Sequence, residues 1–176
     1  MPVCSGRLRS LTNIDQIAEL NEREQAALAE VVERFAFRSN DYYLSLIDWD
    51  DPNDPIRRVI VPNAEEMDAW GRLDPSDEHR YTIMPGLEHK YNSTALLLVS
   101  NVCEGICRYC FRKRVFMRPR MEYLRDIPGA MEYIRGHEEI TNVLMTGGDP
   151  LALATPKLAD IVGWLRRIEH IQIIRI

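Results

Sequence analysis

The sequence predicts an α/β fold: a helical N-terminal region over residues 1–94, then the first three strand–helix units of a parallel sheet over residues 95–176. Three observations predict it. Before residue 94, apolar residues recur at helical spacing between capping residues and turn-rich stretches. After it, short apolar runs at residues 95–100, 140–146 and 171–176 alternate with helical stretches. The chain is 45% hydrophobic and 28% charged, the balance of a globular protein that buries its own core.

Taken in order, Ile14, Ile17 and Leu20 fall on one helical face. Asn21 with Glu24 reads as a capping box that restarts a helix carried by Leu28, Val31, Val32 and Phe35. A short helix is expected over residues 42–47, stopped by the turn Asp50-Asp51-Pro52-Asn53-Asp54-Pro55. Asn63 opens another, through Met67 and Trp70. The run at residues 95–100 reads as a strand buried on both faces. Helix over residues 127–135, strand over 140–146, helix capped by Thr155 with Pro156 at its first position, and strand over 171–176 complete the pattern. The second helix turns Leu158, Ile161, Val162, Leu165 and Ile168 inward.

Chemistry concentrates after the first strand, in Cys103-Glu-Gly-Ile-Cys107-Arg-Tyr-Cys110. Thiolates are the usual protein ligands of iron–sulfur clusters, and three of them leave one iron of a cubane open to an exogenous group. Zinc is the competing reading, with Cys4 or one of His79, His89, His137 and His170 as a fourth ligand. Disulfide pairing is disfavoured: the N-terminus shows no signal peptide, and a chain of 176 residues needs no staple, so reduced thiols in the cytoplasm are expected. Cys4 is read as a bystander. The net charge of −5 argues against bulk nucleic-acid binding, and no apolar run approaches the roughly 20 residues that cross a bilayer. Beside the cysteines, Arg108, Arg112, Lys113, Arg114, Arg118 and Arg120 form a basic run suited to a substrate carboxylate or phosphate, to a solvated loop, or to an RNA contact. Gly147-Gly148-Asp149-Pro150 ends the second strand, where a backbone without Cβ atoms can approach a ligand and its carbonyls can accept from an ammonium group.

Cys-x3-Cys-x2-Cys with Tyr109 before the last cysteine, followed one strand later by Gly147-Gly148-Asp149, resembles the radical S-adenosylmethionine (SAM) enzymes. Pro55-Ile-Arg-Arg58, Asp77-Glu-His-Arg80, Pro85-Gly-Leu-Glu-His-Lys-Tyr91, Cys110-Phe-Arg-Lys-Arg114 and Thr146-Gly-Gly-Asp-Pro-Leu151 extend the match to the lysine 2,3-aminomutase family. The resemblance covers roughly residues 40–176. It implies a partial TIM-like barrel, with Cys103, Cys107 and Cys110 holding a [4Fe-4S] cluster whose open iron binds SAM. It implies reductive cleavage of SAM to methionine and a 5′-deoxyadenosyl radical, and a 1,2-amino shift on lysine or a related substrate carried by pyridoxal 5′-phosphate (PLP). Gly147, Gly148, Asp149 and Tyr109 are then SAM contacts, Lys90 and Tyr91 fall where the family contacts the PLP phosphate, and Arg112 matches its carboxylate-gripping arginine.

Two departures accompany the match. The family commonly has an arginine three residues after the tyrosine, and here that position is Thr94. Relatives continue for several more strand–helix units, which carry the Schiff-base lysine; Lys90, Lys113 and Lys157 are the lysines of this chain, and none is at that position. A fragment, or one piece of a split enzyme completed by a second chain or a homo-oligomer, is therefore expected. The implied partners are an amino acid or a carrier-protein lysine, and an electron donor such as flavodoxin or ferredoxin. A PLP-independent radical SAM enzyme and a non-catalytic iron–sulfur or zinc module are the alternatives.

Overall fold

The computed structural model of the chain describes residues 8–68, 71–117 and 122–176; Cys4, Trp70, Arg118 and Arg120 lie outside the described residues. The chain divides into two compact units: residues up to Leu73 together with Glu104–Met117, and Asp74–Cys103 together with residues beyond Met117.

The first unit contains β1 (Ser10–Leu11), α1 (Glu22–Arg34), β2 (Ser39–Asn40), α2 (Asp41–Ser45) and α3 (Pro55–Ile60). The capping box opens α1: Asn21 Oδ1 accepts the Glu24 N–H at 3.0 Å and Glu24 Oε2 accepts the Asn21 N–H at 2.9 Å. Two N–H groups with no partner inside the helix are thereby satisfied. Asp54 caps α3 by accepting the Arg57 N–H at 2.7 Å, with Pro55 in the first turn. The core collects Ile14, Ile17, Leu20, Phe37, Leu44 and Ile60.

The N-terminal expectations are corrected in detail. Ile14, Ile17 and Leu20 are buried, but no α-helix carries them. Gln16 Oε1 accepts the N–H groups of Thr12 and Asn13 at 2.8 and 3.0 Å and closes a single 3-10 turn, Ile14–Gln16. Leu20 is brought inward by a second turn, its N–H bonded to the Ile17 carbonyl at 3.3 Å. The helix expected over residues 42–47 is α2, which ends at Ser45, and the one expected after Asn63 is a 3-10 turn, Ala64–Met67.

The second unit contains β3 (Thr82–Met84), β4 (Leu87–Tyr91), β5 (Thr94–Ser100), α4 (Ile127–Arg135), β6 (Asn142–Gly147), α5 (Thr155–Leu165) and β7 (Ile173–Arg175). The sheet order is β3-β4-β5-β6-β7. The pairs β5–β6 and β6–β7 are parallel, as predicted, whereas β3–β4 and β4–β5 are antiparallel. The sheet is mixed, and residues 82–91, expected within a helical region, form a hairpin. Pro85-Gly86 makes the reversal: Gly86 has φ +84°, and a Cβ there would run into the backbone nitrogen of Leu124. Leu97, Val99, Val143 and Met145 share one core with Ile134 of α4 and Ile161 and Leu165 of α5. The bounds of α4 are the expected ones. In α5, Thr155 is the first helical residue and not the cap, because the Ala154 carbonyl already accepts the Leu158 N–H at 3.2 Å. No helix among the described residues is long and apolar enough to cross a membrane.

Candidate functional site

In the second unit, β5 and β6 end side by side, with Ser100 opposite Gly147. The C-terminal ends of parallel strands are where open sheets bind ligands. Gly147 has φ +113°, and a Cβ on it would strike the Ser100 carbonyl oxygen. A Cβ on Gly148 would lie 2.5 Å from the carbonyl oxygen of Val102. The same crossing is held by hydrogen bonds: the Gly148 N–H donates to Ser100 O at 2.7 Å and the Asp149 N–H to Val102 O at 2.8 Å. Both glycines are therefore required by the backbone itself, and their role extends beyond any ligand. The Asp149 carboxylate accepts the Leu151 N–H at 2.9 Å and caps the turn Pro150–Ala152. Cys103, half-buried, follows Val102 directly.

Cys107 and Cys110 belong to the first unit, on Glu104–Met117. That segment is pinned to its unit by backbone bonds: the Ile106 N–H donates to Arg38 O at 2.9 Å and the Arg108 N–H to Val59 O at 2.7 Å. Gly105 lies against Tyr43 and Ile60, where a Cβ would come within 3.3 Å of each. The Cys110 N–H donates to Cys107 O at 3.0 Å, so the two residues share one turn. Burial pushes the Cys107 thiol above its ordinary pKa, and the neighbouring Cys110 adds to the rise. Tyr109 is exposed between them.

The basic run divides once its side chains are located. Arg108 is 6% exposed; it forks onto Glu66, Nε to Oε1 and an Nη to Oε2, each at 2.9 Å, and its other Nη donates to Ala36 O at 2.8 Å. Lys113 Nζ donates to Glu66 Oε2 at 2.8 Å and stands 4.3 Å over the Phe35 ring. Burial alone would raise the Glu66 pKa, but the hydrogen bonds from Arg108 and Lys113 outweigh it and hold the carboxyl below its usual range. Arg108 and Lys113 are thus structural. Arg112 and Arg114 are also buried, with Arg112 standing 4.8 Å over Phe111. Glu66 was not singled out by the sequence reading; its signal was the capping pattern from Asn63, whose N–H it accepts at 3.0 Å. A cavity of about 930 Å³ in the same unit is lined by residues that include Arg57, Arg58, Glu66, Arg108 and Tyr109.

Lys90 and Tyr91 lie at the opposite end of β5 from the glycines. Tyr91 pairs with Thr94 and Gly147 with Ser100, six residues further along the strand, a separation of about 20 Å at the rise of an extended chain. Lys90 Nζ donates to Ser76 O at 3.0 Å and faces the Tyr81 ring at 5.0 Å. Thr94 Oγ1 accepts from Asn142 Nδ2 at 3.2 Å, and Asn142 Oδ1 accepts from Arg175 Nε at 3.1 Å.

The donor set suits a thiolate-bound cluster by its chemistry: Cys103, Cys107 and Cys110 are in no disulfide and retain access to solvent. No group of three His, Cys, Asp or Glu side chains among the described residues converges on a point that would hold a metal ion. Of the residues at the PLP-related positions, exposed Lys90 donates to Ser76 O, and Tyr91 and Thr94 pair with each other across β4 and β5; Lys113 is paired with Glu66, and Lys157 is exposed on α5.

No family model matches the chain. Individual proteins do. A protein of Aquifex aeolicus named "Putative L-lysine 2,3-aminomutase" is 54% identical over 170 residues, which are 97% of this chain and 46% of that protein. The L-lysine 2,3-aminomutase of Clostridium subterminale is 34% identical over 97% of this chain and 42% of its own length. The glutamate 2,3-aminomutase of Clostridioides difficile is 34% identical over 98% of this chain and 41% of its own. The chain spans less than half the length of these relatives.

Proposed function

Since this chain belongs to the lysine 2,3-aminomutase family, we propose that it carries the cluster- and SAM-binding part of a radical aminomutase on a partial TIM-like barrel. The observation that carries the proposal is the Gly147-Gly148 crossing at the C-terminal ends of β5 and β6, which fixes the backbone leading into the first cysteine of a Cys-x3-Cys-x2-Cys motif. Cys103, Cys107 and Cys110 would be the thiolate ligands. When bound, a [4Fe-4S] cluster supplies one electron that breaks the sulfur–C5′ bond of SAM, giving methionine and a 5′-deoxyadenosyl radical that abstracts hydrogen from the substrate.

The chain's own residues would do the rest. The N–H groups of Gly148 and Asp149 are spent on the β5 loop, so the glycine segment turns to a SAM ammonium through its carbonyls. Tyr109, exposed beside Cys110, offers an aromatic face to an adenine. Arg112, buried and screened little by water, would hold a substrate carboxylate bidentately. The substrate is an amino acid or a carrier-protein lysine, and the electron comes from a flavodoxin- or ferredoxin-like donor. Thr94, at the position where the family commonly has an arginine, favours a second reading, a radical SAM enzyme that does without PLP.

The test is release of 5′-deoxyadenosine from SAM by the chain, reconstituted anaerobically with iron and sulfide and reduced with dithionite. Product that disappears on replacing any one of Cys103, Cys107 or Cys110 by alanine is expected. Product retained in all three variants refutes the cluster assignment. Titration with PLP tests the first reading: an absorbance band of bound cofactor supports the aminomutase.

A further inference from the structure

The segment that joins β5 to Cys103 is held by more than the glycine crossing. Ser100, 4% exposed, folds its hydroxyl back over the following residues: Oγ accepts the Val102 N–H at 3.1 Å and donates to the Val102 carbonyl at 3.1 Å. That carbonyl also accepts the Asp149 N–H at 2.8 Å, while the Ser100 carbonyl accepts the Gly148 N–H at 2.7 Å. Both polar groups of Val102 are therefore fixed, and the carbonyl is one side of the peptide bond whose other side is the Cys103 nitrogen. Gly148 leaves the space this requires, since a Cβ there would sit 2.5 Å from the Val102 oxygen and 2.8 Å from its carbonyl carbon.

We infer that Ser100 and Gly148 are positioning residues for Cys103: together they lock the Val102–Cys103 peptide and so set where the first thiol of the motif points. The inference rests on the reading of Cys103 as a cluster ligand. It assigns to Gly148 a task that exists before SAM binds, and to Ser100 a task that no ligand contact would give it. A hydroxyl is needed at residue 100 because one atom must accept an N–H and donate to a carbonyl at the same time, which Ser and Thr can do and Ala cannot.

Two readouts on the full chain test it without SAM and without turnover. In the metal-free chain, alkylation of each cysteine by iodoacetamide is followed by peptide mass spectrometry in wild type, Ser100→Ala, Ser100→Thr and Gly148→Ala. The expected result is a several-fold change in the Cys103 rate in Ser100→Ala and Gly148→Ala, unchanged rates at Cys107 and Cys110, and a wild-type rate in Ser100→Thr. In the reconstituted chain, iron loss to a chelator should be about tenfold faster in Ser100→Ala than in wild type or Ser100→Thr. Equal Cys103 rates in wild type and Ser100→Ala overturn the inference, as does a rise common to all three cysteines, which would mean general loosening. A wild-type chain that takes up no iron refutes the cluster reading, and the alkylation pattern still decides the positioning role.

Discussion

Glu66→Gln tests the energetics of the cysteine-bearing segment. Glu66 accepts four hydrogen bonds at 2.8–3.0 Å, from Asn63 N–H, two guanidinium nitrogens of Arg108 and Lys113 Nζ. Glutamine keeps the shape, but it removes the charge and turns an NH₂ group toward donors. Lys113, 18% exposed at its side chain, can turn to water; Arg108, at 5%, cannot. Removing one partner of a buried ion pair costs about 3–5 kcal/mol, and the substitution should fall near the lower end because Lys113 escapes. Urea unfolding followed by circular dichroism measures the loss. A value under about 1 kcal/mol would refute the assignment of Arg108 to a buried ion pair, since exposed pairs are worth no more than that. A second measurement sharpens the test. Glu66→Met combined with Arg108→Met should be less destabilising than Glu66→Met alone, because Arg108 is then no longer buried without its counter-ion.

Acid should act through the same carboxylate. Its folded pKa is depressed, so its contribution is full above the ordinary carboxylate range and is lost as pH falls through the folded value; below about pH 4 wild type should therefore lose stability more steeply than Glu66→Gln. Gly86→Ala should destabilise by more than about 1 kcal/mol, through a positive φ and a collision with Leu124, and Leu124→Ala in the same background should not relieve it, because the clash is with backbone; calorimetry measures both. Arg112→Ala should weaken substrate binding while leaving 5′-deoxyadenosine release largely intact, and loss of cluster assembly in that variant would refute the carboxylate role.

The part of the fold carried by periodicity and caps was legible. The Asn21–Glu24 box and the bounds of α4 follow from local pattern, because each is decided by residues close in sequence, and the parallel order of β5, β6 and β7 follows from the alternation of strands with helices. The hairpin at residues 82–91 was not. Its strands are short, and what selects them is Gly86 meeting Leu124, thirty-eight residues away, together with pairing of Leu87 to Leu97. The motif cysteines and the glycine pair could be located by spacing, whereas the duties of the arginines could not. Arg108 and Arg112 look alike in sequence and both are buried; what sets Arg108 apart is its fork onto Glu66, forty-two residues away.

The mixed character of the sheet has a kinetic consequence. The β4–β5 pair closes a loop in which Leu87 meets Leu97 ten residues on, while the β5–β6 pair joins Thr94 to Asn142 across forty-eight. The entropy of the longer closure is greater by about 1.4 kcal/mol, before the cost of ordering α4 is counted. The hairpin is thus the cheap nucleus, and it presents β5 already extended, with a free edge, to the slower parallel partner. The strand that delivers Cys103 would be set in place by its antiparallel neighbour before the glycines that lock it have arrived.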